Sequence, residues 1–484
     1  MTVSADISFA AIDIGTSQIK TGVYTGSATP SFKVKGYREN KVYTGYNDTA
    51  EIHYDELKRS VFELLLELAA HLKQVRPGRL YIGICGLVSS YLIWDRTQKQ
   101  VVNKSFPIWL DRRCNASLDD LFSKLNKGRD IQMLGTHLPK GANWLASKIY
   151  HEKETHLKND QLYLQAGDAI FAELTGACQS HFSSQVSIAH NTNGSYSKPM
   201  LDLIQVTEKH LPEISNDGMC KMLPELTAML GLPAETYVVP ALSDFYASFL
   251  SIDLKPGEGF ILANTSEIAG KINESNEAVN NFVTVSANGN NLIYGSTNTG
   301  GNLINWFVRN ILGKNTDTDF FAGIKDKING IHPGQTPVFI PYIDGERAPI
   351  WDSNLTGSFF GLRSSHTSAH LYHAVLESIA FSRRYQFEAM PGGIPATIRI
   401  CGGSTRDNYF NSMRSAVLGC NIQRSAESEL AILGTIRHAM NVAQTGTEII
   451  SQLYEKIPRN KAQEDLYEAK YRQFVKYQKI ILNK

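Results

Sequence analysis

Two carboxylates and two hydroxyl-bearing turns are the parts of this sequence best suited to chemistry. Asp13 ends the apolar run 9–12 and is followed by Gly15, Thr16, Ser17 and Lys20. A tight turn of this kind converges backbone N–H groups on an anion and adds two hydroxyls, which suits phosphate oxygens. Asp13 beside it suits magnesium, which takes one or two carboxylates together with phosphate and water. The plainer reading is an ordinary hairpin with a polar turn. The theme recurs half a chain later. The run from Tyr237 ends at Ser243-Asp244, and Gly259 to Ala263 runs into Asn264-Thr265-Ser266-Glu267. Asp244 reads equally as a proton acceptor and as a helix cap.

Three further groups stand at element ends. The loop Gly86-Leu87-Val88-Ser89-Ser90 follows the apolar run 79–85, where open α/β sheets bind ligands. Trp109, Asp111, Arg112 and Arg113 join an aromatic, a carboxylate and two guanidinium groups, a cluster suited to a polyol or, as plainly, to a helix start. Gly402-Gly403-Ser404 follows the run 398–401 and precedes a helix opening near Asp407 or Asn408. Glycines there let backbone approach a nucleotide. Neither G-x-G-x-x-G nor G-x-x-x-x-G-K-[ST] occurs, which excludes a Rossmann fingerprint and a Walker P-loop.

The elements that must position these groups follow from periodicity. Residues 9–24 predict a hairpin, and 55–73 a helix with Leu57, Val61, Leu64, Leu65, Leu68 and Leu72 on one face. Strands are expected at 79–85, 91–95, 237–243, 259–263 and 398–401. Helices are expected at 144–154, 167–174, 300–311, 369–390 and 429–444, with a charged helical tail after them. Asp168 reads as a cap or first-turn charge, and 180–199 as a loop or irregular hairpin.

The chain has 484 residues, enough for two or more domains. Forty-eight basic against 47 acidic side chains leave no excess that would favour nucleic acid. Six cysteines without a Cys-x-x-Cys pair, no secretory apolar segment and no membrane-length apolar run predict a reduced, cytoplasmic protein.

DIGTSQIK (13–20), IWLDRR (108–113), SDF (243–245), NTSE (264–267), FIPYIDGERAP (339–349), GSFFGL with HLYHAVLE (357–377) and CGGSTRD (401–407) occur in the order and spacing that the FGGY carbohydrate kinases use. Over about residues 7–445 the chain resembles that family, xylulokinases in particular. The resemblance implies an α/β fold of two actin/hexokinase-like (ribonuclease H-like) lobes around a central ATP/sugar cleft, each on a five-stranded mixed sheet. It divides the chain into 1–242 (sugar and first phosphate turn), 243–450 (nucleotide) and a helical tail, 451–484. It implies Asp244 as general base and Asp13 as the magnesium-side carboxylate. ATP is then bound by Gly15, Thr16, Ser17, Lys20 and Thr265, with Gly301, Asn305, Gly402, Gly403 and Asp407 or Asn408 around the nucleoside. The sugar falls to Val88, Ser89, Trp109, Asp111, Arg113, Asp244 and Phe245.

Departures from the family pattern gather at the sugar and the second turn. Leu87-Val88-Ser89-Ser90 replaces Gln-Met-His-Gly, Phe245 replaces an amide, and Ser404 a third glycine. Glu267 brings a negative charge towards phosphate unless it turns away. The expected activity is ATP- and magnesium-dependent phosphorylation of a sugar hydroxyl, with a ketose such as xylulose leading. Gluconokinase or sedoheptulokinase activity, or a nucleotide- or sugar-binding protein with little catalysis, are the alternatives. The implied partners are the sugar and ATP, with a homodimer left open and neither nucleic acid nor membrane.

Overall fold

The computed structural model describes residues 6–25, 32–46, 48–125, 128–152, 157–274, 277–287, 289–316, 318–445 and 454–482. The chain divides into two compact units. The first comprises 1–253, 285–289 and 429–451, and the second 254–284, 290–428 and 452–484. This differs from the division expected at 242 and 450. Residues 243–253 and 429–445 pack with the first unit, and the described segment 454–482 is part of the second rather than a separate tail.

The first unit is built on β1 (Ile7–Ile14), β2 (Gln18–Thr25), β3 (Phe32–Glu39), β4 (Arg79–Gly86) and β5 (Glu235–Val238), ordered β5-β4-β1-β2-β3. β1 and β2 form the expected hairpin, with Asp13 opposite Lys20, and β1–β4 and β4–β5 are parallel. Two short strands, Cys220–Lys221 and Leu242–Ser243, bring the sheet to seven. Strands of two residues are too short to carry a period in sequence.

One face of this sheet is covered by the helix Tyr54–Val75 through the leucine stripe read from sequence; Leu57, Val61, Leu64, Leu65 and Leu68 are fully buried. The helix Ala166–Thr175 joins the same core. Against Phe9, Ala11 and Tyr81 pack Ile432, Leu433, Ile436 and Met440 of the helix Leu430–Ala443. The expected helix at 144–154 spans Leu145–His151; its expected last residues, 153 and 154, lie outside the described residues. Residues 180–197 hold the end of a short strand, a single 3₁₀ turn and a bridged loop, and 198–199 begin the helix Lys198–Ile204.

The second unit repeats the plan. β6 (Glu258–Ala263), β7 (Glu267–Ile272), β8 (Asn290–Ser296), β9 (Thr397–Cys401) and β10 (Asn421–Ser425) run in the order β8-β7-β6-β9-β10. The hairpin β6–β7 is antiparallel, while β6–β9 and β9–β10 are parallel. Edge strands starting at Val283 and at Tyr454 again raise five to seven. The helix Ser368–Glu388 precedes β9 as Tyr54–Val75 precedes β4. Burial runs nearly all round it, which explains why its hydrophobic stripe is weak in sequence. Tyr467, Tyr471, Phe474 and Ile481 of the last helix, Glu464–Leu482, enter the same core.

Candidate active site

In the first unit Asp13 stands at the end of β1, where parallel pairing with β4 brings Cys85 alongside. The Cys85 thiol donates to Asp13 Oδ1 at 3.5 Å. Burial pushes the Asp13 carboxyl up to about 6; Lys20 opposes that shift and the Glu429 carboxylate adds to it. The turn after β1 is closed by Gly15 N–H donating to Gln18 O at 2.9 Å. A Cβ on Gly15 would lie 2.8 Å from that oxygen, so the turn needs glycine. Asn40 ties the turn down, its Nδ2 donating to Gly15 O at 2.8 Å and its backbone N to Ser17 O at 2.9 Å. Lys20 is engaged: its ammonium pairs with Glu429 at 2.8 Å.

Asp244 is the first residue of the helix Asp244–Ile252, capped by Ser243, whose Oγ accepts from Tyr246 N at 3.2 Å. Such a cap is worth about 1 kcal/mol. Ser243 is fixed in turn by Ser183, whose Oγ accepts from Ser243 N at 3.2 Å and meets His181 Nδ1 at 2.9 Å. Burial, with the negative charge of Asp13 second, raises the Asp244 carboxyl to about 7. Phe245 N–H donates to Asp244 Oδ1 at 2.7 Å. The sequence left cap and base open for this residue; the capping side chain is Ser243, and the Asp244 carboxylate accepts from Phe245 N in its own first turn.

Trp109 Nε1 donates to Thr16 Oγ1 at 2.9 Å, which joins the expected sugar cluster to the first turn. Asp111 and Arg113 bind each other: Nε lies 3.1 and 3.0 Å from the two carboxylate oxygens. Arg113 also pairs with Glu51 at 2.7 Å. Asp111 is buried and further accepts from Ala50 N at 2.9 Å, so hydrogen bonding outweighs burial and holds its carboxyl below the usual range. Ser89 is buried and Val88 half-buried. Ser90 Oγ donates to Gln165 Oε1 at 3.1 Å. Asp168 completes a capping box with Gln165, its Oδ2 accepting from Gln165 N at 3.2 Å, as the cap reading predicts.

In the second unit the turn after β6 is packed against two glycines. Gly301 N donates to Asn264 O at 3.0 Å and Asn302 N to Thr265 O at 2.8 Å. A Cβ on Gly300 would lie 2.9 Å from Thr265 O. Asn264 and Thr265 remain exposed, as does Asn305 in the helix Gly301–Trp306. Gly402, at φ 108°, lies so close to β6 that a Cβ would come 2.5 Å from Ala263 O; glycine is required on both counts. Gly403 and Asn408 are exposed. Asp407 caps the helix Asn408–Leu418, its Oδ1 accepting from Tyr409 N at 2.9 Å. Glu267 turns away from the turn. It is fully buried, ion-paired to Arg414 and, at 3.4 Å, to Arg383. The partners Glu429, Cys85, Arg383 and Arg414 carried no sequence signal, since each lies far along the chain from the residue it meets.

No group of three or more His, Cys, Asp or Glu side chains among the described residues forms a metal cage. A half-buried oxygen donor such as Asp13, close enough to another carboxylate to raise it, fits a cation that completes its shell with phosphate and water.

Family models for the N-terminal and C-terminal domains of the FGGY family of carbohydrate kinases match residues 9–251 and 259–442. A gluconokinase of Bacillus licheniformis is 25% identical over 87% of this chain and 85% of its own length. A glycerol kinase of Clostridium perfringens is 23% identical over 78% and 79%. Crystal structures of a gluconate kinase and a ligand-bound xylulose kinase from Lactobacillus acidophilus share the fold with TM-scores of 0.86 and 0.85, each at 18% identity and 98% coverage of both chains. With both domain models matched across most of its length, the chain belongs to the FGGY family of carbohydrate kinases.

Proposed function

We propose that this carbohydrate kinase transfers the γ-phosphoryl group of ATP to a hydroxyl of a neutral ketose, xylulose being the leading candidate, with Asp244 as general base. The observation that carries the reading is Asp244 itself. It stands at a helix start, within electrostatic reach of Asp13, with burial raising it to about 7, where a carboxylate is a competent proton acceptor near neutrality. Asp244 takes the proton of the acceptor hydroxyl as the oxygen–phosphorus bond forms, and ADP leaves with the broken bond's electron pair. Gly15, Thr16 and Ser17 of the first unit and Thr265 of the second hold phosphates. Gly301, Asn305, Gly402, Gly403 and Asn408 receive the nucleoside, and Asp407 supports them as a cap. Asp13 would hold magnesium, which when bound neutralises phosphate charge. Lys20, being paired with Glu429, acts on Asp13 more than on phosphate.

On the acceptor side, Trp109, Val88, Ser89, Phe245 and the Asp111–Arg113 pair form the sugar-facing set. A neutral acceptor is favoured because the Arg113 charge is already met by two carboxylates, Asp111 and Glu51. The gluconokinase relatives carry the second reading, an aldonate acceptor. A coupled ADP-release screen with magnesium, ATP and a panel of ketoses, polyols and aldonates tests both. Xylulose or a related ketose is expected to give the highest kcat/KM, and a preference for gluconate would replace the first reading by the second.

A further inference from the structure

The carboxylate of Glu267 is the one departure in the second turn that the structure turns into a built feature. It begins β7, directly after Asn264-Thr265-Ser266, and is completely buried between two completely buried arginines, Arg383 and Arg414. Arg414, on the helix Asn408–Leu418, also donates from Nη2 to Ser404 Oγ at 3.1 Å, and Ser404 donates to Ala263 O at 3.3 Å. One guanidinium thus grips the residue after the β6 turn and a residue of the Gly402–Ser404 turn. Arg383, on the helix Ser368–Glu388, lies 3.4 Å from the other carboxylate oxygen, an ion pair without a hydrogen bond, and bonds Gln386, whose Nε2 donates to Gly295 O at 2.7 Å on β8. Burial lowers both arginines' pKa and Glu267 raises it, so this carboxylate keeps two buried cations in place.

We infer that Glu267, Arg414 and Ser404 are positioning residues that set the spacing between the β6 phosphate turn and the glycine turn after β9. The inference rests on the proposed reading of those turns as the phosphate and adenosine sites. A ligand spanning both turns then feels the device, and a ligand touching one does not.

The test is calorimetric titration of the full chain with ADP and, separately, adenosine, in the presence of magnesium, with a thermal melt of each variant. Glu267→Gln keeps the shape and removes the charge. Ser404→Ala keeps the buried charges and removes the two hydrogen bonds of the Ser404 hydroxyl, to Arg414 and to Ala263 O. Loss of one hydrogen bond corresponds to about two- to tenfold, so Ser404→Ala, which loses two, is expected to weaken ADP by at least that much. Glu267→Gln should weaken it on the order of tenfold or more, since charged hydrogen bonds count for more. Adenosine is expected to stay within about twofold in both variants. If Ser404→Ala melts like the wild type and binds ADP equally well, or if ADP and adenosine weaken together, the positioning role is overturned. A wild-type chain that binds no ADP would instead overturn the nucleotide reading on which it rests.

Discussion

At the scale of single residues, the raised carboxyl of Asp244 dictates a pH dependence. A base must be ionised to act, so kcat/KM is expected to fall about tenfold per unit as pH drops below about 7, as measured in a pH–rate profile. Asp244→Ala should lose on the order of 10²–10⁴ in kcat while acceptor KM moves far less; unchanged turnover would remove Asp244 from the mechanism. The same shift has a stability counterpart. The folded state holds this proton more tightly than the unfolded chain, so the contribution favours folding below the ordinary carboxyl value of 3.8. It is lost as pH rises through about 7. Asp244→Asn is therefore expected to melt a few degrees above the wild type at pH 8, with the difference vanishing towards pH 4.

At the scale of elements, what fixes Asp244 is a helix pair. Gly434 brings the helix Leu430–Ala443 so near Asp244–Ile252 that a Cβ there would lie 1.7 Å from Ala247 O. Arg437 donates to the terminal carbonyls of Leu250 and Ser251, at 3.2 and 2.5 Å. Gly434→Ala is expected to cost about 1–3 kcal/mol, the usual scale for overpacking, and to lower kcat by displacing the helix that starts with Asp244. A denaturation midpoint and turnover equal to wild type would show that the two helices part without consequence. Sequence reading was good at this scale wherever the signal is local: the unbroken apolar runs of β1 and β6, each ending in a polar turn, and the leucine stripe of Tyr54–Val75 were all legible. It failed where the informative fact is a partner. Nothing local tells Lys20 that Glu429 stands opposite, or Glu267 that Arg383 and Arg414 enclose it. The charge at Glu267 read as an obstacle to phosphate because its alternative, burial in an ion cluster, depends on two helices more than a hundred residues away.

At the scale of the whole molecule, neither unit is one stretch of chain, and this too was hidden from composition. The helix Leu430–Ala443 is apolar and small-residued like many others, so periodicity reveals that it is a helix and not which sheet it covers. The last helix is likewise integral: Lys470 meets Glu377 and Thr336 in the buried interior of the second unit. Removing one partner of a buried pair costs roughly 3–5 kcal/mol. A chain ended after residue 458 loses that pair together with Tyr467, Tyr471 and Phe474, and is expected to be recovered as aggregate. A soluble, cooperatively melting product would contradict this account of the second unit's core.

The return of Leu430–Ala443 to the first unit also bears on the order of synthesis. A ribosome releases β1, β4 and the Asp244 helix long before the segment that covers Phe9, Ala11 and Tyr81 exists. For the time taken to translate some 180 intervening codons, at roughly 5–20 residues per second, the nascent first unit presents an apolar sheet face with no cover. Such a chain invites chaperone attendance during translation, and slowing elongation between codons 254 and 429 should lower its soluble yield more than the same delay placed after codon 445.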